Sequence, residues 1–193
     1  MVRKARVERK TSEVDIVVEL DIDGKGKRDV KTGIKFLDHL LVTLAERALF
    51  DLTVKATGDL KHHVSEDVAL ALGEALQKAL GEKKGIRRFG SAYVPMDESL
   101  ARVVVDLGGR AYSNLGLKLS QNQIEDLKTE DIEHFFISFA QASKSNLHIA
   151  VLYGSNDHHK IEAVVKAMAL ARRKATSLDP RAGDQVPSAK GVL

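Results

Sequence analysis

Two segments of the sequence share one pattern of histidines and a glutamate: residues 62–66 read HHVSE, and residues 158–162 read HHKIE. They lie 96 positions apart (158 − 62 = 96), and a second histidine recurs at nearly the same offset, since His39 corresponds to His134 (134 − 39 = 95). The histidines and their spacing are therefore duplicated. This duplication predicts two related halves and a tail, at residues 1–88, 89–178 and 179–193.

The spacing of apolar residues predicts how the first half folds. Apolar and polar residues alternate over residues 14–22, which is the period of a half-buried strand. Over residues 33–49 and again over residues 62–80, apolar residues recur every three or four positions, which predicts two helices. Residues 50–55 between these helices are typical of a strand.

The second half repeats this order. It contains three extended segments, a helix, a strand and a long last helix, at residues 91–95, 100–107, 112–119, 132–139, 146–152 and 158–175. We therefore predict an α+β fold in which a βββαβα unit occurs twice with pseudo-twofold symmetry. Residues 179–193 contain prolines and glycines without periodicity, so an irregular tail is expected there.

Composition narrows the class of protein. The 193 residues are 44% hydrophobic, which suffices for a buried core. With 30 Lys and Arg against 27 Asp and Glu, the net charge of +3 gives no support for nucleic-acid binding. The lack of cysteine excludes disulfides and thiol nucleophiles. No apolar run reaches the roughly 18 residues of a membrane span, and the first residues are charged, so we expect a cytoplasmic protein without a membrane partner.

The repeated segments have the spacing of metal ligands. Residues four apart on a helix are separated by about 40° around the axis and about 6 Å along it, so the first histidine and the glutamate of each segment can hold one ion. The second histidine points about 100° away and is expected to serve another ion. Symmetry between the halves suggests two sites of four residues: His62, Glu66, His134 and His159 in one, and His158, Glu162, His39 and His63 in the other.

Ligand type alone leaves the metal open. Three imidazoles and a carboxylate suit zinc, manganese, iron or nickel. A single His-His pair on a helix is more often a solvated or capping feature, but its duplication in register favours the metal-ligand interpretation. His148 differs, because it has no counterpart in the first half, and we expect it to be a hydrogen-bonded core histidine.

Further motifs resemble one enzyme family along nearly the whole chain. They are Arg9-x-Thr11-x-Glu13, Thr32-Gly33-Ile34-x-Phe36-Leu37-Asp38-His39, both His-His-x-x-Glu segments, Gly85-Ile86-x-Arg88-Phe89-Gly90, Pro95-Met96-Asp97-Glu98, Gly109-Arg110, Glu133-His134-Phe135-Phe136, Gly154-x-Asn156 and Pro187-Ser188-Ala189-Lys190-Gly191. In this order they resemble the imidazoleglycerol-phosphate dehydratases.

The resemblance implies a fold and a function. The fold is a duplicated unit like domain 2 of ribosomal protein S5, and the assembly is a homo-oligomeric shell of 24 subunits. The reaction is a hydro-lyase step of L-histidine biosynthesis, in which D-erythro-imidazole-glycerol phosphate loses water to give imidazole-acetol phosphate. The cofactor is manganese, with two ions per active site.

Site residues follow from the same resemblance. The family's metal ligands fall on the eight residues already chosen by spacing. Its substrate-phosphate contacts fall on five others, Arg88, Arg110, Lys166, Ser188 and Lys190, so the tail would close over a phosphate. Without the resemblance, the tail would be interpreted as a frayed terminus. Glu13 is the candidate acid/base and a substrate contact, and Glu66 and Glu162 are catalytic candidates as well as ligands.

The sequence also departs from the family pattern. The approach to the first His pair, residues 58–61, is about three residues short, so a tighter loop is expected. Val64 replaces a common Thr, Thr43 and Arg47 replace a common Gln and His, and Gly108 replaces a Ser before Gly109-Arg110. We therefore expect substrate contacts near Arg47 to depart from those of the family. No metal ligand is lost.

Two other classes of function remain open at this point. A dinuclear metal hydrolase could use the same ligands to activate water against a phosphate ester. An RNA-binding or metal-storage module is the alternative without catalysis, and RNA binding would require a basic face with aromatic platforms. Only 5% of the residues are aromatic, and most phenylalanines occupy apolar positions, which argues against RNA.

Overall fold

A computed structural model describes residues 2–193. The main elements are β1 (Lys4–Lys10), β2 (Val14–Asp21), β3 (Arg28–Lys31), α1 (Lys35–Ala48), β4 (Asp51–Gly58), α2 (Lys61–Leu80), β5 (Phe89–Met96), β6 (Ser99–Asp106), β7 (Tyr112–Gly116), β8 (Gln123–Ile124), β9 (Leu127–Lys128), α3 (Thr129–Ala142), β10 (Asn146–Tyr153) and α4 (Asp157–Thr176). The predicted βββαβα order therefore occurs twice.

The two halves share one sheet topology. The first sheet has the order β1-β2-β4-β3 and the second the order β5-β6-β10-β7, so each strand has a counterpart at the same place. In both sheets the last pair, β3 with β4 and β7 with β10, is parallel, and the other pairs are antiparallel. The predicted α+β duplication is confirmed.

Helices of one half pack against helices of the other. The closest helix pairs are α2 with α3 and α1 with α4, and each sheet packs one face on the helices of its own half. The inward side chains of β2 and β6 alternate with outward ones, as the period-2 pattern predicts. The shared apolar core contains a buried side chain from each helix, at most 2% exposed: Leu41, Leu72, Phe136 and Met168.

The second half contains an addition that periodicity did not reveal. The two-residue strands β8 and β9 form a small hairpin between β7 and α3. Asp126 in its turn accepts hydrogen bonds from the backbone amides of Lys35 and Phe36, at 2.9 Å each. The hairpin thus supplies hydrogen-bond acceptors to two backbone amides in the first turn of α1, which have no partner within the helix.

The prediction for His148 was wrong. His148 lies on β10, where Leu147, Ile149 and Val151 face the core, so its own side chain points to the exposed outer face of the sheet. There its ring contacts Tyr112, with centroids 5.6 Å apart. The apolar neighbours suggested a buried site, but the alternation of the strand decides the direction.

The tail has no helix or strand, as expected, but it is anchored. Gly85 donates a backbone hydrogen bond of 2.9 Å to Gln185, and Asp179 donates one of 2.8 Å to Gly85. Among residues 2–193, no helix combines the length and the apolarity that crossing a membrane requires.

Candidate metal centres

The first centre, named here the α2–α3 cluster, consists of His62, Glu66 and His134. His62 and Glu66 occupy successive turns near the start of α2, and His134 reaches them from α3. The Glu66 Oε2 atom lies 3.7 Å from His62 Nε2 and 3.7 Å from His134 Nδ1. The three potential ligand atoms lie within 4.8 Å of one another, a separation that one ion can bridge.

The second centre, the α1–α4 cluster, consists of His39, His158 and Glu162. The Glu162 Oε2 atom lies 3.0 Å from His39 Nε2 and 3.2 Å from His158 Nε2. Burial raises the pKa of Glu162, but hydrogen bonds from Lys166 and His39 outweigh this effect and lower the pKa to about 2. The carboxylate is therefore ionised at neutral pH, as a metal ligand must be.

Each cluster unites three of the four residues that symmetry suggested for its site. The remaining histidines, His159 and His63, turn away within the chain, as their 100° offset predicts. His63 Nδ1 lies 2.7 Å from Asp59, and His159 Nδ1 lies 2.7 Å from Glu98. These hydrogen bonds raise the pKa of both histidines.

Carboxylates also contact the Nδ1 atoms of His62 and His158, the ring nitrogens that face away from the clusters. His62 Nδ1 lies 2.6 Å from Asp131, and His158 Nδ1 lies 3.1 Å from Glu125. Such contacts fix the ring and leave Nε2 toward the cluster. Sequence reasoning missed all four carboxylate partners. Of these four residues, only Glu98 belongs to a motif shared with the family, Pro95-Met96-Asp97-Glu98, and the resemblance gave it no role.

The donor set fits divalent metal ions. In each cluster two imidazole nitrogens and one carboxylate oxygen converge, and the opposite ring nitrogens of His62 and His158 are held by acids. In both clusters the ligand atoms come from two different helices and meet at one point. Surface ion pairs would not require this arrangement, and a metal ion would. The arrangement suits a first-row divalent ion, and the ligand types do not distinguish manganese from zinc or iron.

Four of the five predicted phosphate contacts line one cavity of about 370 Å³ between the second sheet and the tail. They are Arg88, Arg110, Ser188 and Lys190. Arg88 is held by Asp106 through hydrogen bonds of 2.7 and 3.1 Å and by the Pro187 carbonyl at 2.9 Å. Because a guanidinium has five N–H donors, two remain for an anion.

Two predicted residues lie elsewhere. Lys166 does not line the cavity, since its Nζ atom lies 2.8 Å from Glu162 Oε1 beside the α1–α4 cluster. Glu13 lies between β1 and β2, with its carboxylate half-exposed and 3.9 Å from His63 Nδ1. Arg47 is exposed in the last turn of α1. The connection before α2 is only two residues long, Asp59 and Leu60.

Comparison with known proteins identifies relatives over the full length. The sequence model of the family described as imidazoleglycerol-phosphate dehydratase matches residues 32–171. The imidazoleglycerol-phosphate dehydratase of Granulibacter bethesdensis is 49% identical, with 100% of both chains covered. That of Dehalococcoides mccartyi is 50% identical, with 99% of this chain and 97% of the relative covered.

Solved structures agree with the sequence matches. The crystal structure of imidazoleglycerol-phosphate dehydratase from Staphylococcus aureus gives a TM-score of 0.84 at 33% identity, covering 91% of this chain and 99% of that one. The structure of the enzyme from Pyrococcus furiosus, solved in complex with (S)-C348, gives a TM-score of 0.85 at 35% identity. The match covers 97% of this chain and 100% of that one.

Proposed function

The chain belongs to the imidazoleglycerol-phosphate dehydratase family, and from that premise we propose how its clusters and cavity act on D-erythro-imidazole-glycerol phosphate. The protein is a hydro-lyase of L-histidine biosynthesis, which forms imidazole-acetol phosphate and water. The observation that carries the proposal is the pair of three-residue clusters, each with its ligand atoms within 4.8 Å of one another. A phosphorylated metabolite does not cross membranes unaided, so the proposed location is the cytoplasm.

Two divalent ions, proposed to be manganese, would occupy the clusters. His62, Glu66 and His134 would hold one, and His39, His158 and Glu162 the other. His63 and His159 would complete the two sites. Because both point away from the clusters of their own chain, we infer that neighbouring copies supply them. This need for shared ligands supports a homo-oligomer, with 24 subunits as the proposed number.

When bound, the two ions would supply Lewis acidity to the imidazole ring of the substrate, which would make the adjacent carbon-bound proton easier to remove. The histidines and glutamates orient the substrate ring by their fixed positions on four helices. Arg88, Arg110, Ser188 and Lys190 would bind the phosphate, with the tail closing over it. Lys166 would reach the same phosphate from its place beside Glu162 when copies assemble.

Glu13 is the proposed proton carrier. Its carboxylate is half-exposed and 3.9 Å from His63, so it can approach a substrate without leaving a stable ion pair. As a carboxylate it would take up the carbon-bound proton beside the ring and, now protonated, give it to the departing hydroxyl, which leaves as water. It would then take the proton of the enol hydroxyl and deliver it to the adjacent carbon, so it ends as a carboxylate again. Glu66 and Glu162 contribute to catalysis through the ions they would hold.

The proposal is tested with protein stripped of metal by a chelator. Turnover of imidazoleglycerol phosphate should return on addition of manganese, with about two ions per chain. Release of inorganic phosphate from simple phosphate esters would instead indicate a metal hydrolase. Two bound ions without turnover would indicate metal storage, and a protein that binds no metal would overturn the ligand assignment.

A further inference from the structure

The duplication allows the surroundings of the two clusters to be compared position by position. His62 and Glu66 correspond to His158 and Glu162 at an offset of 96, and His39 corresponds to His134 at an offset of 95. The ligand triads are therefore equivalent. Their neighbours are not equivalent, and two substitutions between the halves change the charge around each triad.

The first substitution concerns the partner of the helix histidine. In the α2–α3 cluster, His62 Nδ1 lies 2.6 Å from Asp131, a carboxylate only 3% exposed. The residue at the corresponding position in the first half is Phe36 (131 − 95 = 36). Phe36 packs against His158 with ring centroids 5.0 Å apart. A buried carboxylate beside one triad is thus replaced by a phenyl ring beside the other.

The exposed Glu125 partly fills this role for His158. Its side chain is 60% exposed, and its Oε1 atom lies 3.1 Å from His158 Nδ1. A solvated carboxylate on a hairpin turn holds a ring less firmly than a buried one and stabilises positive charge less strongly. The imidazole of His62 is therefore the more firmly oriented of the two, with Nε2 directed toward its cluster.

The second substitution concerns the glutamate. One turn beyond Glu162, Lys166 Nζ lies 2.8 Å from Glu162 Oε1, and its side chain is 19% exposed. The corresponding residue one turn beyond Glu66 is Leu70 (166 − 96 = 70). Within residues 2–193, no lysine or arginine nitrogen lies within 4.0 Å of the Glu66 carboxylate. The ammonium thus neutralises the carboxylate of one triad only.

We propose that the two metal sites are unequal and fill in order, the α2–α3 cluster first and the α1–α4 cluster second. This inference rests on the proposed function, since it requires both clusters to bind metal. Asp131 is a positioning residue that strengthens the first site through His62. Lys166 weakens the second site because its ammonium group neutralises the negative charge of Glu162 and repels a divalent cation.

Lys166 therefore also links the second site to the substrate. In the chain alone its ammonium contacts Glu162, and the proposed function gives it a phosphate contact. A phosphate that engages this ammonium would compensate its charge, so the second ion should bind more tightly when phosphate is present. By linkage, the second ion would strengthen phosphate binding to the same degree.

Manganese binding to the metal-stripped protein tests the order directly. Free Mn²⁺ is measured by its electron paramagnetic resonance signal during a titration, which requires no turnover. The expected isotherm has two steps per chain that differ by at least about tenfold in dissociation constant. Glu66→Gln should remove the tight step, and Glu162→Gln should remove the weak one.

Two variants with matched controls test the named residues. Asp131→Asn should weaken the tight step by about 10- to 100-fold and leave the weak step unchanged. Glu130→Gln, an equal charge change at an adjacent exposed position, should alter neither step. Lys166→Met should tighten the weak step by about tenfold. Lys174→Met, about 12 Å further along the same helix and exposed, should leave both steps within about twofold.

The outcomes separate the two proposals. A wild-type protein that binds no manganese overturns the proposed function. If the two sites of each chain bind manganese equally well, the proposed function stands and the unequal filling is overturned. An effect of Asp131→Asn on the weak step alone also overturns the unequal filling. If circular dichroism shows that Asp131→Asn does not fold, Lys166→Met decides, and an unchanged weak step in that variant contradicts the inference.

Discussion

The Nε2 atom of His39 lies 3.0 Å from Oε2 of Glu162, although the two residues are 123 positions apart. His39 lies on the first helix of one half and Glu162 on the last helix of the other. The α1–α4 cluster therefore forms only when the halves pack together. Neither half contains a complete triad, so the metal sites depend on the interface between the halves.

Removing one histidine of the α1–α4 cluster tests this dependence. His39→Ala should lower the metal content by about one ion per chain. Turnover should fall by at least about 100-fold, because removing a ligand costs more than removing a residue that only hydrogen-bonds to a ligand. Inductively coupled plasma mass spectrometry and a turnover assay measure both. His148→Ala is the control: this histidine is exposed on β10, so metal content, turnover and stability should stay near wild type. Equal metal loss in both variants would contradict the assignment.

Much of the fold could be predicted because the duplication and the apolar periods are local signals. The HHVSE and HHKIE segments fall in the first turns of α2 and α4, and the i,i+4 contacts between histidine and glutamate follow from helix geometry alone. The four-residue ligand sets could be only partly derived, because His63 and His159 are turned toward residues outside their own clusters.

The remaining features depend on packing between distant segments. Asp131 contacts His62 across 69 positions, and only the approach of α3 to α2 brings them together. The hairpin of β8 and β9 is too short for a period to be recognised. His148 was misassigned because its apolar neighbours suggested burial, whereas the alternation of Leu147, Ile149 and Val151 places His148 on the opposite, outer face of the strand.

The role of Glu13 can be separated from metal binding. Glu13→Gln keeps the size of the side chain and removes its ability to carry a proton at neutral pH. Turnover should fall by about 100- to 10,000-fold, while the manganese content stays unchanged. Glu8→Gln, on the exposed face of β1, is a control with the same change. A loss of manganese in Glu13→Gln would instead indicate a ligand or structural role.

The tail is expected to act on substrate binding more than on chemistry. Lys190→Ala removes one cationic donor from the cavity that Arg88 and Ser188 also line. A charge-assisted hydrogen bond contributes about 1.5–3 kcal/mol, so KM should rise by about 10- to 100-fold with a smaller change in kcat. Arg181→Ala removes a cation from the same tail outside the cavity and should leave KM unchanged. An unaltered KM in Lys190→Ala would exclude the tail from the site.

Asp157 should make stability depend on pH in the acid range. Burial raises its pKa, but hydrogen bonds from Lys160, Ser120 and Gln121 outweigh this effect and lower the pKa to about 2 from the ordinary 3.8. Since the folded-state pKa is the lower one, the stabilisation is present above about pH 4 and is lost as the pH falls toward 2. Asp157 and Lys160 form a buried ion pair with 2.7 Å between Oδ1 and Nζ.

Asp157→Asn removes one member of this pair. At pH 7 the free energy of unfolding should fall by about 3–5 kcal/mol, because the Lys160 ammonium is left buried without its counterion. The difference from wild type should shrink toward pH 2. Asp15→Asn breaks the exposed pair with Lys10 and should cost less than about 1 kcal/mol. Denaturation with urea at several pH values measures both variants, and a pH-independent difference would refute the titration of Asp157.

The close approach of β5 to α4 limits what Gly90 can be replaced by. A Cβ atom added at Gly90 would lie 1.9 Å from the carbonyl oxygen of Ala171 and 3.0 Å from the backbone nitrogen of Ala175. Both are backbone atoms of α4, so no side chain can rotate away. Gly90→Ala therefore forces the strand and the helix apart, and we expect a loss of about 3 kcal/mol in unfolding free energy, the upper end of what overpacking typically costs.

Gly116 on β7 is the matched control for this substitution. There an added Cβ atom would lie 3.3 Å from the Ile149 carbonyl oxygen, a contact that a small shift relieves. Gly116→Ala should therefore cost less than about 1 kcal/mol in the same urea denaturation. Because α4 also carries His158 and Glu162, the displaced helix in Gly90→Ala should weaken manganese binding at the α1–α4 cluster more than at the α2–α3 cluster. Equal stability of the two glycine variants would show that β5 and α4 are not packed this closely in solution.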